Sequence, residues 1–487
     1  MSYVSVVFYL LTGFLYTPFL IKTLGVSDYG IYSLSASLIG YFSLDFGIGA
    51  AQARLAAKYN LEGKREKIKD MLGITARIYL LIDLIILLLL AVVYLNAGVI
   101  FGNLTDAELP RFKNVFIMTG AFVLVNFPLL SVKGLYQAFD RVYAVVVIDL
   151  VNKVASVALL VMALCLGWGL YGVVMIGVVC NASAQLFKLF YIRRKEGLSV
   201  HLRARDKEVT AFLASFSAWA TVAMVADKFF FGIIPFLLAA LANTHEVAIF
   251  AIVISLEGYV LSIAKSLNGI FLPRVMKLVV DRRSADAQTQ LMVRVGRVQL
   301  FIVGFFVTGA VSLGREFIYH WLGPGFDKSY FCMVLVLVPC LFHLTQTIAE
   351  ELVFATNNVK YRALTYVVGS TLSVSAIVLL APRIGAMGAA IGVCLSFVVA
   401  HNVIMDVIYQ KRLGLNMLYF LRQCHMKILP SFLLSGAVGF LLCRYVPTPT
   451  FVGFFAKAAL WALLTAVIVW FVAINREEKE MFIKRAK

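Results

Sequence analysis

The chain has 487 residues, 61% of them hydrophobic, with a mean hydropathy of +0.90. A water-soluble domain this apolar has no polar surface to offer, so soluble enzymes and soluble binding modules are excluded. Its 44 Lys and Arg against 26 Asp and Glu leave a net charge of +18; nucleic acid would fit that charge only if it gathered on one domain, and it is spread over short links instead.

Apolar runs of about 20 residues recur along the whole length, the number a helix needs to cross the hydrocarbon core. They are too long and too uniform for barrel strands, which alternate over about ten residues. The expected fold is all-α: a polytopic membrane protein of about fourteen transmembrane helices. The first run begins at Tyr3 and, with no charged lead and no small-residue cleavage site before it, reads as a retained span.

In chain order the predicted spans are 3–20, 29–50, 72–94, 114–136, 143–165 and 170–191, then 211–234, 247–271, 291–313, 330–354, 363–381 and 385–409, and finally 427–444 and 451–474. The link after the second span carries Arg54, Lys58, Lys64, Arg65, Lys67 and Lys69. The link after the sixth carries Arg193, Arg194, Lys195, Arg203, Arg205 and Lys207, and the link after the eighth Arg274, Lys277, Arg282 and Arg283. Links on the other side are poor in Lys and Arg. The positive-inside rule then puts both termini in the cytoplasm.

The two halves echo each other at an offset of about 217 residues. Pro18, Phe19 and Leu20 match Pro235, Phe236 and Leu237. Leu38, Gly40 and Tyr41 match Leu256, Gly258 and Tyr259. Ala138 and Val142 match Ala355 and Val359, and Gly169 and Gly172 match Gly385 and Gly388 at an offset of 216. The expected organisation is two six-helix bundles related by pseudo-two-fold symmetry, 1–208 and 209–420, plus two extra helices and a cytoplasmic tail in 421–487. Like-oriented repeats about an axis normal to the membrane are a transporter architecture.

No link exceeds about 25 residues, and there is no P-loop, no HExxH and no GxSxG. No catalytic residue, cofactor or metal is expected. The seven cysteines lie in or beside apolar runs without CxxC spacing and read as free thiols. His343 and His401 read as satisfied interior residues rather than a proton relay.

A charge inside a span costs about 2.5–3.5 kcal/mol on insertion scales, so each one marks a wet cavity, a partner or a function. A need of the duplicated scaffold should appear in both copies. Asp227 and Lys228 instead map onto Leu10 and Leu11, Glu257 onto Ile39, Lys265 onto Gly47, and Asp149 and Lys153 onto Tyr366 and Ser370. Lys153, Lys228 and Lys265 are the candidate substrate-binding cations, because an anion crossing a low-dielectric barrier needs fixed positive charge. Glu257, Asp227 and Asp149 are the candidate ion- or proton-coupling carboxylates. Asp149 and Lys153 stand four residues apart on one helix face, where they can neutralise each other. Asp45, Asp83, Lys133, Glu350 and Glu351 read as charges near helix ends or the membrane surface.

The segment TPFLIKTLGVSDYGIYSLSASLIGYFSLDFGIGAAQARLAAKY (17–59), followed by the basic EGKREKI (62–68), resembles the polysaccharide-export flippases of the multidrug/oligosaccharidyl-lipid/polysaccharide superfamily, the group that contains the O-antigen flippases. Family members share the proline, the LG-x-x-x-YG turn and the LDFG-x-G-x-A-x-x-R segment. The resemblance implies a bacterial inner-membrane protein that flips an undecaprenyl-diphosphate-linked oligosaccharide (an O-antigen or capsular unit) to the periplasm by alternating access, coupled to an ion gradient. Its implied partners are that lipid-linked sugar, membrane lipids and other polysaccharide assembly proteins, with no nucleic acid. Two other readings share the sequence features: a multidrug cation antiporter of the same fold, and a membrane-embedded polysaccharide polymerase or ligase. The short external links argue against the last.

Overall fold

The computed structural model describes residues 2–42, 46–213, 221, 231–266, 284–356, 358–475 and 478–479. Every regular element among them is helical. The chain divides into two units, Met1–Ala248 and Ile249–Lys487, and each is described by itself.

The first unit runs through α1 (Ser2–Leu24), α2 (Val26–Phe42), α3 (Ile48–Leu61), α4 (Arg65–Leu95), the single turn α5 (Ala97–Ile100) and α6 (Glu108–Asn126). It continues through α7 (Val132–Ala138), α8 (Val142–Cys165), α9 (Gly169–Glu196), α10 (Ile234–Leu241) and the start of α11 (Thr244–Ser266). The second holds the rest of α11, then α12 (Ala285–Leu322), α13 (Asp327–Leu344), α14 (Thr347–Ala355), α15 (Val359–Ile384) and α16 (Ala386–Ser396). After the π-helical turn Phe397–Ile404 come α17 (Met405–Leu413) and α18 (Met417–Leu421). A second π-helical turn, Arg422–Met426, leads to α19 (Lys427–Tyr445) and α20 (Phe451–Val472).

Eleven stretches among the described residues are long and apolar enough to cross a membrane, and each coincides in order with one predicted span. Of the other three, 3–20 lies in α1. The predicted span 29–50 divides into α2 and the start of α3, because Gly47 caps α3 in a left-handed conformation (φ 71°). Most of 211–234 lies outside the described residues. On α4, Leu80, Leu81, Leu84, Ile85 and Leu88 are exposed. Such a stripe suits acyl chains and would be a liability in water.

The sequence echo reappears in the element boundaries. Both α1 and α10 end six residues after their proline, at Leu24 and Leu241. Pro18 lies within α1, whereas Pro235 stands in the first turn of α10, where its missing N–H has no partner to lose. The step from α7 to α8 (Ala138 to Val142) recurs as the step from α14 to α15 (Ala355 to Val359). Gly169 opens α9 at φ +61° and Gly385 precedes α16 at φ +59°, both in the left-handed region that favours glycine.

Lipid offers no hydrophobic drive for helix association, so close backbone approach carries much of it. A Cβ on Gly134 of α7 would come within 2.3 Å of the Gly49 carbonyl oxygen of α3. One on Gly73 of α4 would overlap the His201 carbonyl, which belongs to the segment after α9. Around these crossings Leu55, Tyr59, Met71, Val132, Tyr136 and Ile192 form one buried cluster.

Candidate functional site

Four of the six charged candidates are described; Asp227 and Lys228, like Asp45, lie outside the described residues. Asp149 and Lys153 sit one turn apart on α8, and Glu257 and Lys265 two turns apart on α11. The two pairs belong to different units.

The expected pairing of Asp149 with Lys153 is corrected. The Asp149 carboxylate accepts a hydrogen bond from the ammonium of Lys188 on α9. Lys188 is buried at 8% exposure, and its backbone carbonyl accepts a bond from the Tyr136 hydroxyl at 2.9 Å. Lys153 is half-buried one turn further on. In the sequence Lys188 carries no signal of this role, because it falls near the basic end of its span, shortly before Arg193, Arg194 and Lys195.

Glu257 is 5% exposed, and the Cys340 thiol of α13 lies 4.0 Å from its Oε1. Lys265 is exposed in the last described turns of α11. All seven cysteines are free thiols, as the sequence implied.

Glu108, at the start of α6, gathers the ends of three helices. Its buried carboxylate accepts from the hydroxyls of Ser27 at the start of α2 and Thr244 at the start of α11, and from both the amide and the hydroxyl of Thr105, each at 3.0 Å. Beside it Arg111 pairs with Asp28 at 2.6 Å. Asn103 donates to the Ala240 carbonyl at the end of α10 at 2.6 Å. Thr244 also closes on α2: a Cβ on Gly30 would meet its carbonyl oxygen at 2.2 Å. The end of α10 and the first residue of α11 are thus fastened within the first unit.

In the second unit, Lys457 of α20 donates to both Glu316 oxygens at 2.8 and 2.9 Å, and Thr448 and Cys443 donate to the same carboxylate. That network ties α19 and α20 to α12. Lys457 is a charge inside a predicted span that sequence reasoning missed; its partner, 141 residues away, gave no local signal. Arg297 of α12 grips Glu478 through two bonds of 2.7 Å and also donates to the Ala473 and Gln423 carbonyls, anchoring the segment after α20. Burial pushes the Glu478 carboxyl up, but the Arg297 bonds outweigh it and hold the group below the usual carboxylate range. Glu350, expected at the membrane surface, is partly buried against His343 and Arg362. Among the described residues no group of three or more His, Cys, Asp or Glu is placed to hold a metal.

The profile of a family described as "Polysaccharide biosynthesis protein" matches residues 2–279. No curated protein matches the sequence. The chain is similar in structure to a lipid II flippase, MurJ, in an inward closed conformation: TM-score 0.72, 12% identity, covering 96% of this chain and 98% of that one. It is also similar to a multidrug resistance transporter of the MATE family, of the MOP superfamily, in an inward-facing conformation. There the TM-score is 0.59 at 12% identity, over 82% of this chain and 95% of the other. At these identities the likeness concerns the fold.

Proposed function

The chain belongs to the polysaccharide biosynthesis protein family, and we propose that it is a flippase carrying a lipid-linked oligosaccharide from the cytoplasmic to the periplasmic face of a bacterial inner membrane. The family membership carries this reading. The likeness in fold to proteins named as a lipid II flippase and a multidrug transporter supports it. The passenger class is an undecaprenyl-diphosphate-linked O-antigen or capsular unit. Both termini are cytoplasmic, as the basic links imply, and transport is by alternating access with ion coupling. The scaffold is two six-span repeats, 1–208 and 209–420, with 421–487 as an addition. The recurrence of element boundaries at 217 residues supports the repeats.

Lys153, Lys228 and Lys265 serve the diphosphate or an acidic sugar, and Glu257, Asp227 and Asp149 are candidate carboxylates for coupling. Fixed cations in spans suit an anionic passenger. A multidrug cation antiporter is the second reading, favoured by the fold alone; the lysines count against it. Deletion of the gene should make one lipid-linked oligosaccharide accumulate on the cytoplasmic face, and restored expression should clear it. Unchanged lipid-linked sugars together with lost resistance to organic cations would select the second reading.

A further inference from the structure

The second unit contains a polar cluster that the residues discussed above do not use. It is built around a break between two helices. α13 ends at Leu344 and α14 begins at Thr347, with Thr345 and Gln346 forming the turn between them. His343 stands just before this break and Glu350 just after it. His343 Nε2 lies 3.4 Å from Glu350 Oε1, and the other carboxylate oxygen lies 3.9 Å from the Arg362 guanidinium of α15. One carboxylate thus faces a fixed cation and a titratable base.

The break is held from both sides by histidines on π-helical turns. His401, in Phe397–Ile404, has its ring 5.0 Å from that of His343 and 4.5 Å from that of Tyr366. His425, in Arg422–Met426, stacks on Phe342 at 4.9 Å, and its Nε2 lies 3.1 Å from the Thr345 hydroxyl. A π-turn accommodates one extra residue and is frequent at functional sites. Arg362 donates to the Tyr366 hydroxyl at 3.0 Å and lies over its ring. Among the described residues, Glu351 of α14 and Asp406 and Tyr409 of α17 are further titratable groups beside this cluster.

We propose that His343, Glu350 and Arg362 form a proton-binding site in which His343 takes up the proton and Glu350 holds it across the α13–α14 break. With His343 neutral, Arg362 is the cation that these contacts place beside Glu350. The added proton places a second cation on Glu350 and draws its carboxylate towards His343. The present contacts of 3.4 and 3.9 Å leave room to shorten, so proton binding changes the angle at the break. His343 and Glu350 are each 14% exposed at the side chain, so neither is sealed in the core of its unit. A proton fits better than a metal ion: Arg362 repels a divalent cation, and the donor set for one is not assembled among the described residues.

This assignment rests on the ion-coupled flippase reading and gives it a coupling ion and a place. Two measurements separate the two. In the full-length protein, labelled at its six histidines and held in lipid nanodiscs, NMR should show the His343 signal titrating between about pH 5 and pH 8. Glu350→Gln should move that midpoint to lower pH, since it removes the carboxylate and leaves Arg362; His343→Gln identifies the signal. A His343 signal unchanged over the whole range, or a midpoint unmoved by Glu350→Gln, overturns the site. In inverted vesicles, His343→Gln should lose the dependence of lipid-linked oligosaccharide transfer on an imposed pH gradient. Transfer that keeps its full gradient dependence also overturns it. If His343 titrates as expected but the parent protein moves no lipid-linked oligosaccharide under any gradient, the flippase reading fails and the proton site stands. Should His343→Gln not fold, the Glu350→Gln titration, with the signal identified by elimination from the other five histidine variants, decides.

Discussion

Thr244 donates its hydroxyl to the Glu108 carboxylate across 136 residues of sequence. Ser27 and Thr105 donate to the same group, so one carboxylate fastens the starts of α2, α6 and α11. Glu108→Ala would leave three hydroxyls and an amide without their acceptor. Unsatisfied buried donors cost about 1–3 kcal/mol each, offset where water enters. The expected outcome is a lowered melting temperature in detergent and faster thiol labelling of a Thr244→Cys reporter. Labelling at the parent rate would mean that Glu108 does not hold this end shut.

The Asp149–Lys188 pair and Lys153 predict a split between stability and transport. Asp149→Asn leaves the buried Lys188 ammonium without its anion and should destabilise the fold by about 1–3 kcal/mol. Lys153→Ala should reduce export while the melting temperature stays within a degree or two of the parent. If Lys153→Ala destabilised as much as Asp149→Asn, Lys153 would belong to the same structural pair.

How much of this was legible in the sequence depends on the range of the interaction. The spans follow from local composition, and eleven of them reappear as long apolar helices among the described residues. The partner of Asp149 did not follow. Periodicity along one helix finds Lys153 four residues away but says nothing of Lys188 on the next helix. Glu108 draws no reading from the sequence, and Glu350 reads there as a charge near a helix end or the membrane surface. Their roles depend on which helix ends meet, and that is set by packing. The π-turns carrying His401 and His425 leave no periodic mark, since one extra residue merely shifts the phase of an already uniform apolar run.

Lys265 gives the sharpest test of the cationic path. Lys265→Ala should abolish export at parent protein level, and Lys265→Arg should retain part of it, because the charge persists while the geometry changes. Normal export by Lys265→Ala would remove it from the path.

Arg297 and Glu478 predict a pH dependence of stability. The folded-state pKa of Glu478 is lowered, so its pairing contributes stability that is fully present above the ordinary carboxylate pKa of about 4.3. That contribution is lost as pH falls through the lowered folded value. The parent should therefore gain melting temperature over Glu478→Gln at pH 7, and the gap should close at acid pH. At neutral pH the variant leaves Arg297, 4% exposed, short of its carboxylate, a loss of on the order of 3 kcal/mol. A gap that stayed constant with pH would show that charge is not what holds this segment.

The central claim is tested most directly by purified protein in proteoliposomes loaded with a fluorescent undecaprenyl-diphosphate oligosaccharide. Appearance of the sugar on the opposite leaflet can be read with an impermeant quencher or lectin. Transfer that requires the protein, is accelerated by an imposed ion gradient and is lost in Lys265→Ala is the predicted result. Leaflet exchange no faster than in protein-free liposomes under any gradient, from protein that is folded and correctly inserted, would contradict the flippase assignment.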